Sequence, residues 1–185
     1  SLAARRMLPS ARIIAFEVLP AALATYRKNF AGDDAVRIET VALSDRSGSA
    51  EFFVTDRQDC SSLLRPGKGQ SDIYGVAAAD RIVVETVRLD DHEDVSAFAR
   101  PVLLKIDVQG AELMVLRGAI QALNAIEYVY VECSYTELYE GQALLSDVLD
   151  FMSEQGFRFC GALNTHFDAR KGAVQSDCVF ARVPA

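Results

Sequence analysis

The sequence predicts an α/β fold: a mostly parallel sheet in a three-layer sandwich with helices, closed by an antiparallel C-terminal hairpin. Three features carry this reading. Short apolar runs recur (Ile13-Ile14-Ala15-Phe16, Val102-Leu103-Leu104-Lys105-Ile106 and Tyr128-Val129-Tyr130-Val131), and each stops at a carboxylate, at Glu17, Asp107 and Glu132. Nearly continuous apolar runs read as strands buried on both faces. Segments with helical apolar spacing alternate with them, and the last two runs have no helix between them, so they pair antiparallel.

Element by element, residues 1–8 read as the tail of a helix, ended by Pro9-Ser10. A strand follows at 12–17. Pro20 opens a helix with Leu23, Tyr26 and Phe30 on one face, and Gly32 stops it. Residues 36–43 are the next strand, and Asp45-Arg46-Ser47-Gly48 a turn. Residues 49–90 break the rhythm and read as an insertion in a single domain spanning 1–185. It contains strands at 50–55 and 82–89 around a polar, glycine-containing loop at 56–75, expected to be mobile. The alternation then resumes with a strand at 102–108, a turn at Gly110, a helix at 111–124 and a strand at 127–132. A helix at 144–155 with Leu145, Val148, Leu149 and Met152 inward ends at Gly156. Strands at 157–163 and 177–183 form the final pair.

At 185 residues the chain is long enough to bury a core, and half of it is hydrophobic. The net charge of −7 argues against nucleic acid as the main partner, because phosphate binding rests on Lys and Arg. No apolar stretch approaches the ~20 residues of a membrane span, so no membrane partner is expected. Cys60, Cys133, Cys160 and Cys178 are scattered without a CxxC pair, and neither His92 nor His166 has ligand spacing, so no metal is expected. Reduced thiols in a cytoplasmic setting fit this pattern. A homo-oligomer is compatible with the sequence.

In a parallel sheet the C-terminal strand ends share one edge, and open α/β sheets bind ligands there. Glu17, Asp107 and Glu132 are thus expected to line one crevice. Further residues sharpen that reading. Ala15-Phe16-Glu17, Ala42-Leu43-Ser44-Asp45 with Gly48, Ser61-Ser62-Leu63 and Arg88-Leu89-Asp90-Asp91 occur in order. They are followed by Lys105-Ile106-Asp107-Val108-Gln109-Gly110-Ala111-Glu112, Val115-Leu116-Arg117-Gly118-Ala119 and Asp177-Cys178-Val179-Phe180. Together these resemble the FkbM-type methyltransferases, with the segment 105–112 the most specific piece. The resemblance implies a Rossmann-like fold of the class I methyltransferase type, S-adenosylmethionine as cofactor, and O-methylation of a small-molecule or sugar hydroxyl. Three departures stand out. Val18 replaces a proline, Gln109 replaces a glutamate, and the family's first strand and glycine-rich turn have no counterpart, so the first strand is expected to be missing.

The resemblance places Glu17 on the ribose diol, Val18 beside the adenine and Val41, Ala42 and Leu43 as its other wall. Asp107 is expected where methyl and acceptor meet, as base or as a partner of the cofactor's amine. Lys105 shares a strand face with Asp107, so an ion pair that stiffens the site is the plainer reading and a catalytic role the sharper one. Glu132 faces the acceptor. A divalent cation on Asp107 and Glu132 lacks an obvious third oxygen ligand. Glu112 is expected in the first turn of a helix, favoured there by the dipole. His166, in the final hairpin, is expected on the surface. A non-catalytic binding domain of the same descent and another Rossmann-like nucleotide-binding enzyme are the alternatives.

Overall fold

In a computed structural model, residues 2–184 are described. They form an α/β structure with mixed rather than mostly parallel sheets. Helix α1 (Leu2–Met7) is tied to the turn beyond α2 by a bidentate Arg5–Asp33 pair at 2.7 and 2.8 Å. Strand β1 (Ile13–Phe16) pairs in parallel with β2 (Val36–Glu39), and α2 (Pro20–Asn29) connects them. Proline in the first turn suits α2, because that residue's N–H would have no intrahelical partner. Gly32, at φ +79°, makes the reversal after it.

The strand expected at 36–43 is divided. After β2 the chain turns at Thr40 and enters β3 (Ala42–Leu43), which pairs in parallel with β5 (Ala78–Val87) in a second sheet. Strand β4 (Gly48–Thr55) lies antiparallel to the other edge of β5, as expected for the interior of 49–90. Residues 56–75 are more ordered than their composition suggests. They hold a 3-10 turn (Gln58–Cys60) and helix α3 (Lys68–Tyr74), with Cys60, Ser61, Ser62 and Gln70 buried. Gly69 lets α3 seat on a neighbouring loop, since a Cβ there would lie 2.1 Å from the Glu137 carbonyl oxygen.

After the short α4 (Leu89–His92), β6 (Leu103–Ile106) and β7 (Tyr128–Ser134) run parallel. The helix expected at 111–124 is two helices, α5 (Glu112–Arg117) and α6 (Ile120–Leu123). They break at Gly118, against which the Ser44 carbonyl packs so closely that a Cβ would meet it at 1.9 Å. Asp90 Oδ1 then accepts the Gln121 and Ala122 amides at 3.0 and 2.8 Å and caps α6. Helix α7 (Leu145–Glu154) leads into β8 (Phe157–Asp168) and β9 (Gly172–Arg182), an antiparallel hairpin. The third sheet has the order β6-β7-β9-β8.

The main core lies on one face of this third sheet. Ile106, Val129, Val131 and Phe180 pack there against Leu116 and Leu123 of α5 and α6 and Val148 and Met152 of α7. The opposite face is not buried: Leu103 is 51% and Tyr128 47% exposed. Burial on both faces, inferred from the apolar runs, therefore does not hold for β6 and β7, whose side chains alternate between core and open face.

Candidate active site

The parallel pairing of β6 and β7 brings their C-terminal ends together, and with them Asp107 and Glu132. Lys105, two residues before Asp107 on the same open face, donates Nζ to Asp107 Oδ2 at 2.8 Å. Both side chains are partly solvated, so the pair orients more than it stabilises.

Between the two acids sits Gln109. Its Nε2 donates to Asp107 Oδ1 at 3.0 Å and to Glu132 Oε2 at 2.9 Å. Gln175 Nε2 donates to the same Glu132 oxygen at 2.9 Å. Both Asp107 oxygens thus receive donors, whereas Glu132 Oε1 accepts no hydrogen bond among the described residues. Burial, then the neighbouring charges of Asp107, Glu112 and Asp177, push Glu132 up to about 7, only partly offset by Lys105. A carboxylate poised there suits proton abstraction near neutral pH.

Gln109 reaches this place because the loop after β6 is held in an unusual shape. Gln109 has φ +56° and Gly110 φ +97°. The buried Glu112, at the start of α5, accepts the Val108 and Gly110 amides at 3.2 and 3.0 Å. Burial pushes its carboxyl up to about 7. The first-turn position is as expected, but the residue braces the loop as well as meeting the helix dipole.

The fully buried Tyr139 covers this loop. Its hydroxyl accepts from Gln70 Nε2 and has one proton for two acceptors, the Cys60 carbonyl at 2.8 Å and Gln109 Oε1 at 3.0 Å. Burial pushes the phenol above its usual range, so it stays neutral. Ser62 Oγ adds a bond to the Val108 carbonyl at 3.3 Å. The insertion is therefore docked on the loop that carries Asp107 and Gln109. On the far side, Tyr74 of α3 donates to Gln175 Oε1 at 2.9 Å, and its ring lies 5.1 Å from that of the exposed His166. Sequence reasoning missed Gln70, Tyr74, Tyr139 and Gln175. Of the bridging side chains only Gln109 had a signal, as a departure from the family's motif.

Glu17 and Val18 follow β1, Val41 precedes β3, and Ala42 and Leu43 form it, in sheets other than that of β6 and β7. Glu17 Oε1 accepts the Val18 and Leu19 amides at 2.7 and 2.8 Å at the approach to α2, and Oε2 has no hydrogen bond among the described residues. Val41 is buried, and Ala42 and Leu43 are half-buried, with Leu43 against the main core. No hydrogen bond joins Glu17 to Asp107 or Glu132 among the described residues.

Glu39, His92 and Glu93 bring ligand atoms within 4.8 Å of one another. Arg37 already supplies the cation there, at 2.8 Å from Glu39 and in close contact with Glu93. A cleft of about 380 Å³ runs between α3, Thr136-Glu137 and Lys171, but shares no lining residue with the carboxylate cluster. Among the described residues no helix is long and apolar enough to cross a membrane.

A family model described as the Methyltransferase FkbM domain matches residues 1–159. The chain is 36% identical over 159 residues to the 2-O-methyltransferase NoeI of Sinorhizobium fredii (strain NBRC 101917 / NGR234), covering 80% of this chain and 65% of that protein. The crystal structure of methyltransferase FkbM from Methylobacillus flagellatus KT matches with a TM-score of 0.53 at 14% identity, over 92% of this chain and 36% of that one. The chain thus spans less than two thirds of the length of the relatives it matches.

Proposed function

The chain belongs to the FkbM methyltransferase family, and from that premise we propose that it O-methylates a hydroxyl of a small molecule or sugar with S-adenosylmethionine, using Glu132 as the base. One observation carries the choice of base. Glu132 Oε1 is the carboxylate oxygen of the cluster without a hydrogen-bond donor, on a side chain whose proton affinity lies near neutrality. Asp107 and Lys105 then take supporting roles, because both Asp107 oxygens are engaged.

The residues present fit the donor. Glu17 Oε2 is available for a ribose hydroxyl, Val18 and the half-buried Ala42 and Leu43 offer apolar contact to a flat base, and Asp107 can orient an amine. When bound, S-adenosylmethionine supplies a methyl group on a positively charged sulfur. The chain's own part is to hold the acceptor hydroxyl against Glu132 Oε1 and receive its proton there. Gln109 and Gln175 fix the orientation of that carboxylate through Oε2, and Lys105 offsets part of the negative charge around it. Positioning and proton removal are the main contributions an enzyme makes to such an in-line displacement.

In this reading residues 1–185 act as one Rossmann-like domain. Free thiols at all four cysteines support a cytoplasmic setting. The test is incorporation of labelled methyl from S-adenosylmethionine into a panel of hydroxylated acceptors. Glu132→Gln should lower kcat about 10²–10⁴-fold with donor binding retained, and wild-type kcat/KM should rise with pH through about 7. Full activity of Glu132→Gln removes Glu132 as base, and no incorporation into any acceptor sinks the enzymatic reading.

A further inference from the structure

We propose that Gln109 is the positioning residue of this centre: its amide nitrogen, shared between Asp107 Oδ1 and Glu132 Oε2, holds the two carboxylates at a spacing that a divalent cation would otherwise set, and so makes the pair cation-independent. This rests on the reading of Glu132 as the base, and goes beyond it.

The amide orientation is fixed by its surroundings. Reversing it would set Oε1 against two carboxylate oxygens, acceptor facing acceptor with no proton between them. As it stands, two N–H groups point at two acids, and the partial positive charge lies between them. A cation seated there would face those same N–H dipoles. The donor therefore stands in for the ion.

The fold commits several devices to keeping Gln109 in place. Its own φ of +56° is one that residues with a side chain rarely adopt. Such conformations persist where the surroundings over-determine them, and they cluster at functional sites. Here Glu112 clamps the amides on both sides of Gln109 with one oxygen. Gly110 leaves no room for a side chain, because a Cβ would lie 2.8 Å from Tyr139 Cδ2. Tyr139 in turn meets Gln109 Oε1 and is anchored to the insertion through Cys60 and Gln70. A loop whose only task was to join β6 to α5 would need none of these contacts.

The experiment uses the intact chain and reads the Glu132 carboxyl directly by ¹³C NMR titration, together with Mn²⁺ binding followed by electron paramagnetic resonance. Other charged or titratable groups around Glu132 are Lys105 from β6 and Asp107 just beyond it, Glu112 from α5, Cys133 from β7 itself, Asp177 from β9, Tyr74 from α3, Cys60 from the 3-10 turn and Tyr139 from the loop after β7. Removing the donor in Gln109→Ala should raise the Glu132 midpoint by about one pH unit, the size expected for losing a hydrogen bond to a charged group. Tyr139→Phe should move it in the same direction by less. In Gln109→Glu a third carboxylate replaces the donor, and Mn²⁺ should bind at least about tenfold more tightly than to wild type or Gln109→Ala. Should Gln109→Glu not fold, the Gln109→Ala and Tyr139→Phe titrations decide alone. An unchanged Glu132 midpoint in both overturns the proposal, as does wild-type Mn²⁺ affinity equal to that of Gln109→Glu. Neither readout involves methyl transfer, so a protein that shows these shifts yet methylates nothing would refute the enzymatic reading and leave the role of Gln109 standing.

Discussion

Replacing Gly110 by alanine tests how tightly the loop beneath Asp107 is held. Two costs add. At φ +97° an L-residue carries roughly 1–2 kcal/mol of left-handed strain. The new Cβ would also lie 2.8 Å from Tyr139 Cδ2 and 3.0 Å from its Cγ, against 3.4 Å and beyond for ordinary contact. Tyr139 is fully buried, so its ring has nowhere to retreat, and overpacking of this kind costs about 1–3 kcal/mol. The sum is about 3 kcal/mol. Gly141 provides the internal control: its φ is +72°, but nothing lies within 4 Å of its Cβ position. Gly141→Ala should therefore lose only the strain, about 1–2 kcal/mol. Urea unfolding of wild type and both variants, fitted with a common slope, measures the difference. Equal losses in the two alanine variants would refute the steric reasoning and with it the close seating of Tyr139 on the loop.

Gly118→Ala should destabilise by about 2 kcal/mol, although helix propensity alone favours alanine by about 1 kcal/mol, because the Ser44 carbonyl lies where the methyl group must go; a variant melting at or above the wild-type temperature contradicts this. Asp90→Ala should lose about 1–2 kcal/mol by uncapping α6, and thermal melts that coincide with wild type would rule that cap out. Glu112, at about 7 against 4.5 for an ordinary glutamate, keeps a proton in the folded state that the unfolded chain gives up, so its contribution to stability falls as pH rises from about 4.5 to about 7. Glu112→Gln should remove about 3 kcal/mol of that decline, on the order of 2.5 pK units at 1.36 kcal/mol each, while the similar contribution of Glu132 persists; the same pH slope in unfolding curves at pH 5 and 7.5 would show that Glu112 is not the group responsible.

The end of β6 was legible because hydropathy changes sharply there, from Ile106 to Asp107, whereas the same step from Val131 to Glu132 marks no end, since β7 runs on to Ser134. What joins those acids was not legible. Gln109 bridges them only because its backbone turns left-handed and because Tyr139, thirty positions on, meets its side chain. Two element boundaries failed for a related reason. Residues 36–43 look like one strand, since Val41 continues the apolar pattern. The division comes from pairing with distant partners, the Glu17 amide on the Glu39 carbonyl and the Ser44 amide on the Val87 carbonyl. The helix at 111–124 has unbroken apolar spacing, and only the approach of Ser44 splits it. The Tyr-Val-Tyr-Val run reads as continuously apolar in sequence. It is an alternation, with Tyr128 and Tyr130 on the open face and Val129 and Val131 in the core.

The seat of α3 on the loop around Tyr139 also has a consequence for synthesis. Gln70 and Tyr139 are 69 positions apart, so at about 5–20 residues per second a ribosome needs roughly 3–14 s to deliver the partner after the first has emerged. The antiparallel pair β4 and β5 needs only its own residues and can form in that interval. Cys60 and Gln70 wait for Tyr139 of the loop beyond β7, and Ser62 for Val108 of the loop after β6. A nascent chain halted between those points should therefore be cut readily by protease near residues 58–75, and should become resistant there once translation has passed residue 142.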